Sequence, residues 1–279
     1  MKLAVSNIAW SYPQRLDAYA ILRDHGITGL EIAPGLLFAD EVDPFVPSRE
    51  AVLARLRELD HFGLQLVSMQ SLLFGIEGAD LFGEPAARRR LEQGLVRAIE
   101  LAGKLHIANL VFGSPKQRVI PPGLAKDAVL AAVTEIFRPL GDQAAAKRTH
   151  IALEPNAAAY GTNFMTTFQE TLEVVRHIGH AAVTFNFDVG ALYMNQAFDQ
   201  VVSFAQEAAA HISHVHVSSA HLAPAPMNEE DARAVFSALK SIGYDRAVSI
   251  EMKASPNALE TLATSVALLK AAATLEGLP

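Results

Sequence analysis

Eight short runs rich in valine, isoleucine, leucine and phenylalanine recur along this chain, each followed by a longer alanine- and leucine-rich stretch with helical spacing. The runs lie near residues 2–8, 27–33, 64–70, 106–112, 150–155, 182–188, 212–218 and 246–251. The helical stretches span 14–25, 48–60, 86–103, 123–147, 167–178, 197–210, 229–242 and 257–274. Strands alternating with helices imply βαβ units, because parallel neighbours need a crossover long enough to hold a helix. Eight such pairs in 279 residues, with no linker or low-complexity block, predict one (β/α)8 TIM barrel spanning 1–279 as a single domain. An open doubly wound sheet is the runner-up, but no G-x-G-x-x-G follows the first strand.

Punctuation agrees with these boundaries. Ser48, Thr166-Thr167, Asn228 and Ser255-Pro256 are placed to start helices, as are Pro121-Pro122. Gly26, Gly63, Gly103, Gly179 and Gly243 fall where helices should end. Pro139 interrupts the fourth helical stretch and is expected to kink or end it.

Composition narrows the function. The chain has no cysteine, which excludes disulfides, thiolate-bound zinc and cysteine nucleophiles. A net charge of −7 with dispersed charges gives no counterion-release drive toward nucleic acid, and Arg88-Arg89-Arg90 reads as a solvated helix face. No apolar run approaches the ~18 residues of a membrane span. The N-terminal MKLAVSNIAW is broken by Ser6 and Asn7 and reads as a strand, not a signal peptide. The expectation is a soluble, cytoplasmic protein with a small-molecule partner; a homo-oligomer is compatible with it.

The last four runs alternate with period 2. Ile151 and Leu153 oppose His150, Ala152 and Glu154; Val183, Phe185 and Phe187 oppose Thr184, Asn186 and Asp188. Val215 and Val217 oppose His214, His216 and Ser218; Val248 and Ile250 oppose Ala247, Ser249 and Glu251. The apolar set suits the helix side, so the small or polar set points at the barrel axis. Polar groups there cost free energy unless they are paired or bind something. Glu154, Asp188, His216 and Glu251 stand at the C-terminal ends of these strands, where barrel active sites are built, at spacings of 34, 28 and 35 residues. Three carboxylates and an imidazole suit one divalent ion, with Mn2+, Mg2+ or Co2+ favoured and Zn2+ accommodated. Such an ion polarises a ketose carbonyl and its neighbouring hydroxyl, while Glu154 and Glu251 are placed to move the α-proton as an acid/base pair. Glu31 and Gln70 are candidates for bonding substrate hydroxyls, Trp10 and Phe74 for packing on a sugar face, and His221 and Lys253 for further substrate contacts; His214 shares the face of His216 one layer deeper and is expected either to pack behind the ligands or to touch substrate or metal. Lys116 and Arg118 are placed to meet an anionic substrate group.

With SNIAW, GLEIAP, ALEPN followed by YGTNFMTT, FDVGAL, HVHVSS and IGYDRAVSIEMK, the chain resembles the xylose isomerase-like barrel superfamily, the sugar phosphate isomerase/epimerase group. The resemblance implies a (β/α)8 fold, one divalent metal held by Glu154, Asp188, His216 and Glu251, and Glu154 and Glu251 as the acid/base pair of a ketose 3-epimerase. Two departures stand out. Where many members have Asp-x-x-His, this chain has Asp188-Val189-Gly190-Ala191, and Ser218-Ser219 follow the strand-seven histidine where a charged residue is often found, with His221 nearby. Gln70, Gly113 and Ala191 occupy positions where the endonuclease IV branch would carry extra histidines, which argues against DNA repair. The expected activity is metal-dependent isomerisation or epimerisation of a sugar or sugar derivative through an enediolate. A dehydratase acting on a cyclic polyol or keto acid, or a non-catalytic binding barrel, are the alternatives.

Overall fold

The computed structural model describes residues 1–277. In chain order the elements are β1 (Lys2–Ser6), α1 (Arg15–Asp24), β2 (Gly29–Ile32), α2 (Pro34–Leu37), α3 (Arg49–His61), β3 (Gln65–Met69), α4 (Pro85–Leu105), β4 (Asn109–Phe112) and α5 (Lys126–Ala146). They continue with β5 (His150–Leu153), α6 (Phe168–Ile178), β6 (Val183–Asp188), α7 (Val189–Met194), α8 (Val201–Ala208), β7 (Ile212–Ser218), α9 (Glu229–Ser241), β8 (Ala247–Glu251) and α10 (Ala258–Leu275). The strands close into a barrel in sequence order, β1 to β8.

By its contacts the chain divides into two compact units: Met1–Ser68, Phe187–Ala210 and the residues from His214 onward form one, Met69–Asn186 and His211–Ser213 the other. In the first unit β1 lies between β2 and β8, and the β7–β8 register sets His216 beside Ser249 and Ser218 beside Glu251. Gly29 is required where β1 and β2 meet, because a Cβ there would fall 2.6 Å from the Cβ of Ala4. Helix α10 packs on α1 and α9. By length and composition α10 is apolar enough to cross a membrane, contrary to the expectation from the sequence, but its Leu262, Val266 and Leu269 are fully buried in this unit. In the second unit β4 pairs with β5, and β5 with β6. Phe112 packs edge-on against Phe137 of α5, and Phe168 of α6 against Phe185, so the outward side chains of these strands meet helices.

The strand alternation holds. Ile151, Leu153, Phe185, Phe187, Val215, Val217, Val248 and Ile250 are all buried. Ser213 departs from it: the pattern assigns it to the helix side, yet its hydroxyl bonds Thr184 Oγ1 at 2.6 Å and Asn109 Oδ1 at 2.7 Å.

Caps form at Ser48, Thr167 and Asn228, each accepting from a backbone N–H three residues on. Elsewhere the boundaries differ from expectation. Helix α4 runs past Gly103 to Leu105, and His106 takes the left-handed cap. Helix α5 neither ends nor begins anew at Pro139; one lost N–H is tolerated because Ile136, Phe137 and Leu140 anchor the helix on both sides of it. Ser255 bonds Thr261 and is not the cap of α10, whose N-cap is Asn257. Arg88 and Arg90 do more than solvate a face: their Nε atoms donate to Gly83 O at 2.9 Å and Gly78 O at 3.2 Å, fastening the loop before α4.

Candidate metal centre

Strand β7 carries the central donor. His216 is fully buried and its two ring nitrogens face different partners. Nδ1 lies 3.3 Å from Glu251 Oε2 and 3.7 Å from Asp188 Oδ2. Nε2 lies 2.9 Å and 3.1 Å from the two oxygens of Glu31. A carboxylate can only accept, so Nε2 carries a proton on the Glu31 side; Nδ1 faces Asp188 and Glu251, which accept from it while it is protonated, and it is the nitrogen that would ligate a metal ion taking that proton's place. This is how metal-bound histidines are usually held: one nitrogen on the ion, the other donating to an outer carboxylate. Glu31 also accepts from His214 Nε2 at 3.0 Å, and the same nitrogen lies 3.0 Å from Ser249 Oγ. Burial drives the Glu31 carboxyl up, but the charge and hydrogen bonds of His216 and His214 outweigh it and hold the group well below the usual carboxylate range.

Asp188 ends β6 and caps α7. Its Oδ1 accepts from Ala191 N, and its Oδ2 accepts from Ser218 Oγ at 2.8 Å. Ser218 Oγ in turn accepts from Gly190 N at 2.7 Å. A Cβ on Gly190 would lie 2.8 Å from Ser218 Oγ and 3.3 Å from Asp188 Oδ1, so this network has room only for glycine. The two departures from the family pattern, Val189-Gly190-Ala191 and Ser218, thus work together to hold Asp188.

Glu154, at the end of β5, takes one N–H on each oxygen: Asn186 Nδ2 reaches Oε1 at 2.8 Å and Asn156 Nδ2 reaches Oε2 at 2.8 Å. Arg118 is fully buried beside them; its Nη2 donates to Glu154 O at 3.0 Å and to Asn156 Oδ1 at 2.7 Å. Burial pushes the Arg118 guanidinium down to about 10, against the opposing pull of Glu154 and Glu170.

Donor atoms of Asp188, His216 and Glu251 all lie within 4.8 Å of one another, and these three residues and Glu154, which belongs to the other unit, are all buried. That bound lies near the size of a first coordination sphere, whose opposite ligands are about 4.2 Å apart for metal–oxygen bonds near 2.1 Å. Carboxylates this close repel by about 4 kcal/mol per pair at an effective dielectric of 20, and a divalent cation reverses the sign. The oxygen-rich donor set fits a hard or borderline ion.

Other sequence candidates are placed differently. Glu31, expected to touch substrate, is buried against His214 and His216, and His214, expected either to pack behind the ligands or to touch substrate or metal, is buried there with it. Trp10, expected on a sugar face, is buried edge-on against Tyr19 at 6.2 Å. Arg118, expected to meet an anion in a loop, is fully buried on Asn156, while Lys116 is exposed. Gln70 is buried immediately after β3, and Phe74 is exposed. His221 and Lys253 are exposed; His221 has a left-handed backbone, φ 59°, and its turn is tied to the end of β8 by Lys253 N donating to Leu222 O at 3.0 Å. Asn156, Gly113 and Gly190 had no assigned role in the sequence; the signal that could have raised them is their position within two residues of a strand-end acid or one strand over from it.

The family described as xylose isomerase-like TIM barrel matches this chain over residues 19–272. The chain belongs to that family. No curated protein matches it. Among solved structures, the family barrel is similar to D-allulose 3-epimerase from Methylomonas sp. in complex with D-allulose, at 19% identity and a TM-score of 0.75, covering 97% of this chain and 96% of that one. It is similar to 3-keto-D-glucoside 4-epimerase from E. coli at 18% identity and a TM-score of 0.75, covering 97% and 99%. It is also similar to a family 2 AP endonuclease from Brucella melitensis at 17% identity and a TM-score of 0.72, covering 95% and 98%. At these identities the likeness is one of fold.

Proposed function

We propose that this barrel is a divalent-metal-dependent isomerase or epimerase of a sugar or sugar derivative, working through an enediolate. The observation that carries the reading is the donor set of Asp188, His216 and Glu251, whose donor atoms are mutually close, the imidazole oriented by Glu31 so that Nδ1 faces the acids; Glu154 joins them in this reading as the acid at the end of β5. Glu154, Asp188, His216 and Glu251 would hold the ion. When bound, a divalent ion supplies Lewis acidity to a carbonyl and its adjacent hydroxyl, lowering the cost of carbanion character between them. Mn2+, Mg2+ and Co2+ suit the oxygen-rich set best.

The chain's own residues then have the following roles. Glu154 and Glu251 end strands separated by two others in the ring, β6 and β7, which suits attack on opposite faces of one carbon. One carboxylate removes the α-proton and the other returns a proton, giving 3-epimerisation of a ketose. Asp188 is fixed by Ser218 and the α7 backbone, so it cannot swing and serves as a ligand only. His221, Lys253 and Gln70 remain the substrate contacts available near the strand ends. The sugar epimerases of the same fold favour this reaction class, and free ketohexoses and 3-keto sugars are the first substrates to screen.

Turnover in deuterated water tests it. The enediolate route predicts solvent deuterium at the α-carbon of the product, abolished by Glu251→Gln. Turnover with full retention of the substrate hydrogen would sink the proton-transfer scheme, and loss of water from the product would point to the dehydratase.

A further inference from the structure

We propose that Arg118 is a positioning residue for Glu154, acting through the side-chain amide of Asn156. The inference rests on the metal-binding reading of Glu154 given above. A guanidinium has only donors, so its contact at 2.7 Å decides which end of the Asn156 amide it meets: the oxygen. The opposite end, Nδ2, is thereby turned to Glu154 Oε2 at 2.8 Å. A reversed amide would set N–H against the guanidinium and a carbonyl oxygen against a carboxylate, and both contacts repel. The same Nη2 holds the Glu154 backbone oxygen at 3.0 Å. One buried nitrogen therefore fixes the residue at its main chain and, through Asn156, at its carboxylate.

Stability does not account for this arginine. Its side chain is fully buried, yet Nε and Nη1 have no hydrogen-bond partner among the described residues. Burying a charge with two unmatched nitrogens costs free energy, and apolar replacements of buried ionic groups are often neutral or stabilising. The arrangement makes sense if its return is orientation. Gly113 completes it: a Cβ there would stand 2.6 Å from Glu154 Oε2 and 3.2 Å from Asn156 Oδ1, so the strand before Arg118 leaves the space in which carboxylate and amide meet.

The test uses Mn2+ alone as probe, titrated calorimetrically into the full-length protein, with thermal unfolding measured in parallel. Arg118→Met keeps much of the volume and removes the donors. Its Mn2+ affinity is expected to fall tenfold or more, the scale seen for outer partners of metal ligands, while its unfolding midpoint stays level or rises. Removing a positive charge beside a cation site would by itself tighten binding, so a loss identifies orientation and not charge. Asn156→Ala is expected to lose affinity too, and the double variant no more than Arg118→Met alone, because Asn156 acts along a path that Arg118 already fixes. Should Arg118→Met fail to fold, Asn156→Ala decides: wild-type affinity in that variant overturns the proposal. Additive losses overturn the route through Asn156. Wild-type protein that takes up no Mn2+ sinks the metal reading and this inference with it, whereas wild-type binding with unchanged variants sinks the inference alone.

Discussion

At the scale of single residues, the most informative contact is the one beneath the donor set. Glu31 accepts from two imidazoles at once, and only the His216 bond bears on the ion, by holding the proton on Nε2 and aiming Nδ1 at the acids. Glu31→Gln keeps the volume but turns an N–H2 toward one of the two Nε2 atoms. We expect Mn2+ affinity to drop about 10–100-fold, since outer carboxylates on ligating histidines act on that scale, with about 1–3 kcal/mol of stability lost for the unmatched buried group. Titration calorimetry and urea unfolding of the same preparation measure both; unchanged affinity would mean that Glu31 serves packing alone. A second residue-scale outcome concerns Gly190. Gly190→Ala forces a Cβ to 2.8 Å from Ser218 Oγ, and overpacking of this kind costs roughly 1–3 kcal/mol. Because Ser218 then moves off Asp188, metal affinity should fall with stability, while Ser218→Ala should lower affinity with a smaller loss of stability.

At the scale of elements, Pro139 offers the cleanest test. It sits inside a continuous α5 and removes one backbone donor from it. Pro139→Ala restores that donor, and proline in a helix interior is about 3 kcal/mol worse than alanine. The variant should therefore unfold at higher denaturant by at least 1 kcal/mol, partly offset by the more flexible unfolded chain; destabilisation would show that the packing around the ring had been built for proline. The same element marks the limit of what the sequence discloses. Eight strands and their order were legible because β-like runs and helical spacing alternate without a break, and the strand-end acids because period 2 puts Glu154, Asp188 and Glu251 on the polar set. Alternation reports the face of a strand and not the depth along the axis. Hence Glu31 looks like a mouth residue in the sequence and proves to be buried against His216 and His214, whereas His214, two residues before His216 on the same strand face, was legible as one layer deeper. Helix α7 was not legible either, since its six residues follow β6 directly and its cap is Asp188, a residue already read as a ligand. The burial of Trp10 was not legible because its partner Tyr19 lies on α1, an aromatic contact that no local pattern encodes.

At the scale of the whole molecule, the donors come from strands widely separated in sequence, so ion binding and folding are linked. Asp188, His216 and Glu251 end β6, lie within β7 and end β8 respectively. The unfolded chain cannot present them together, and an ion that binds only the folded form stabilises it by RT ln(1 + [L]/Kd), about 2.7 kcal/mol at a hundredfold excess over Kd. For a protein of this size each kcal/mol moves the unfolding midpoint by roughly 2–4 °C. Chelator-treated protein titrated with Mn2+ should therefore gain about 5–10 °C at that excess, with the gain rising logarithmically as more ion is added. Asp188→Asn should abolish the gain. Its own effect without metal has the opposite sign to that of an ordinary buried-charge deletion: it removes one negative charge from a set of mutually repelling carboxylates, so the metal-free variant should melt no lower than metal-free wild type, apart from what the altered α7 cap costs. Calorimetric scans of both proteins, with and without Mn2+, separate these contributions. A wild-type midpoint that ignores the ion at saturating concentration, or an Asp188→Asn protein that still responds to it, would remove the four-residue donor set from the mechanism.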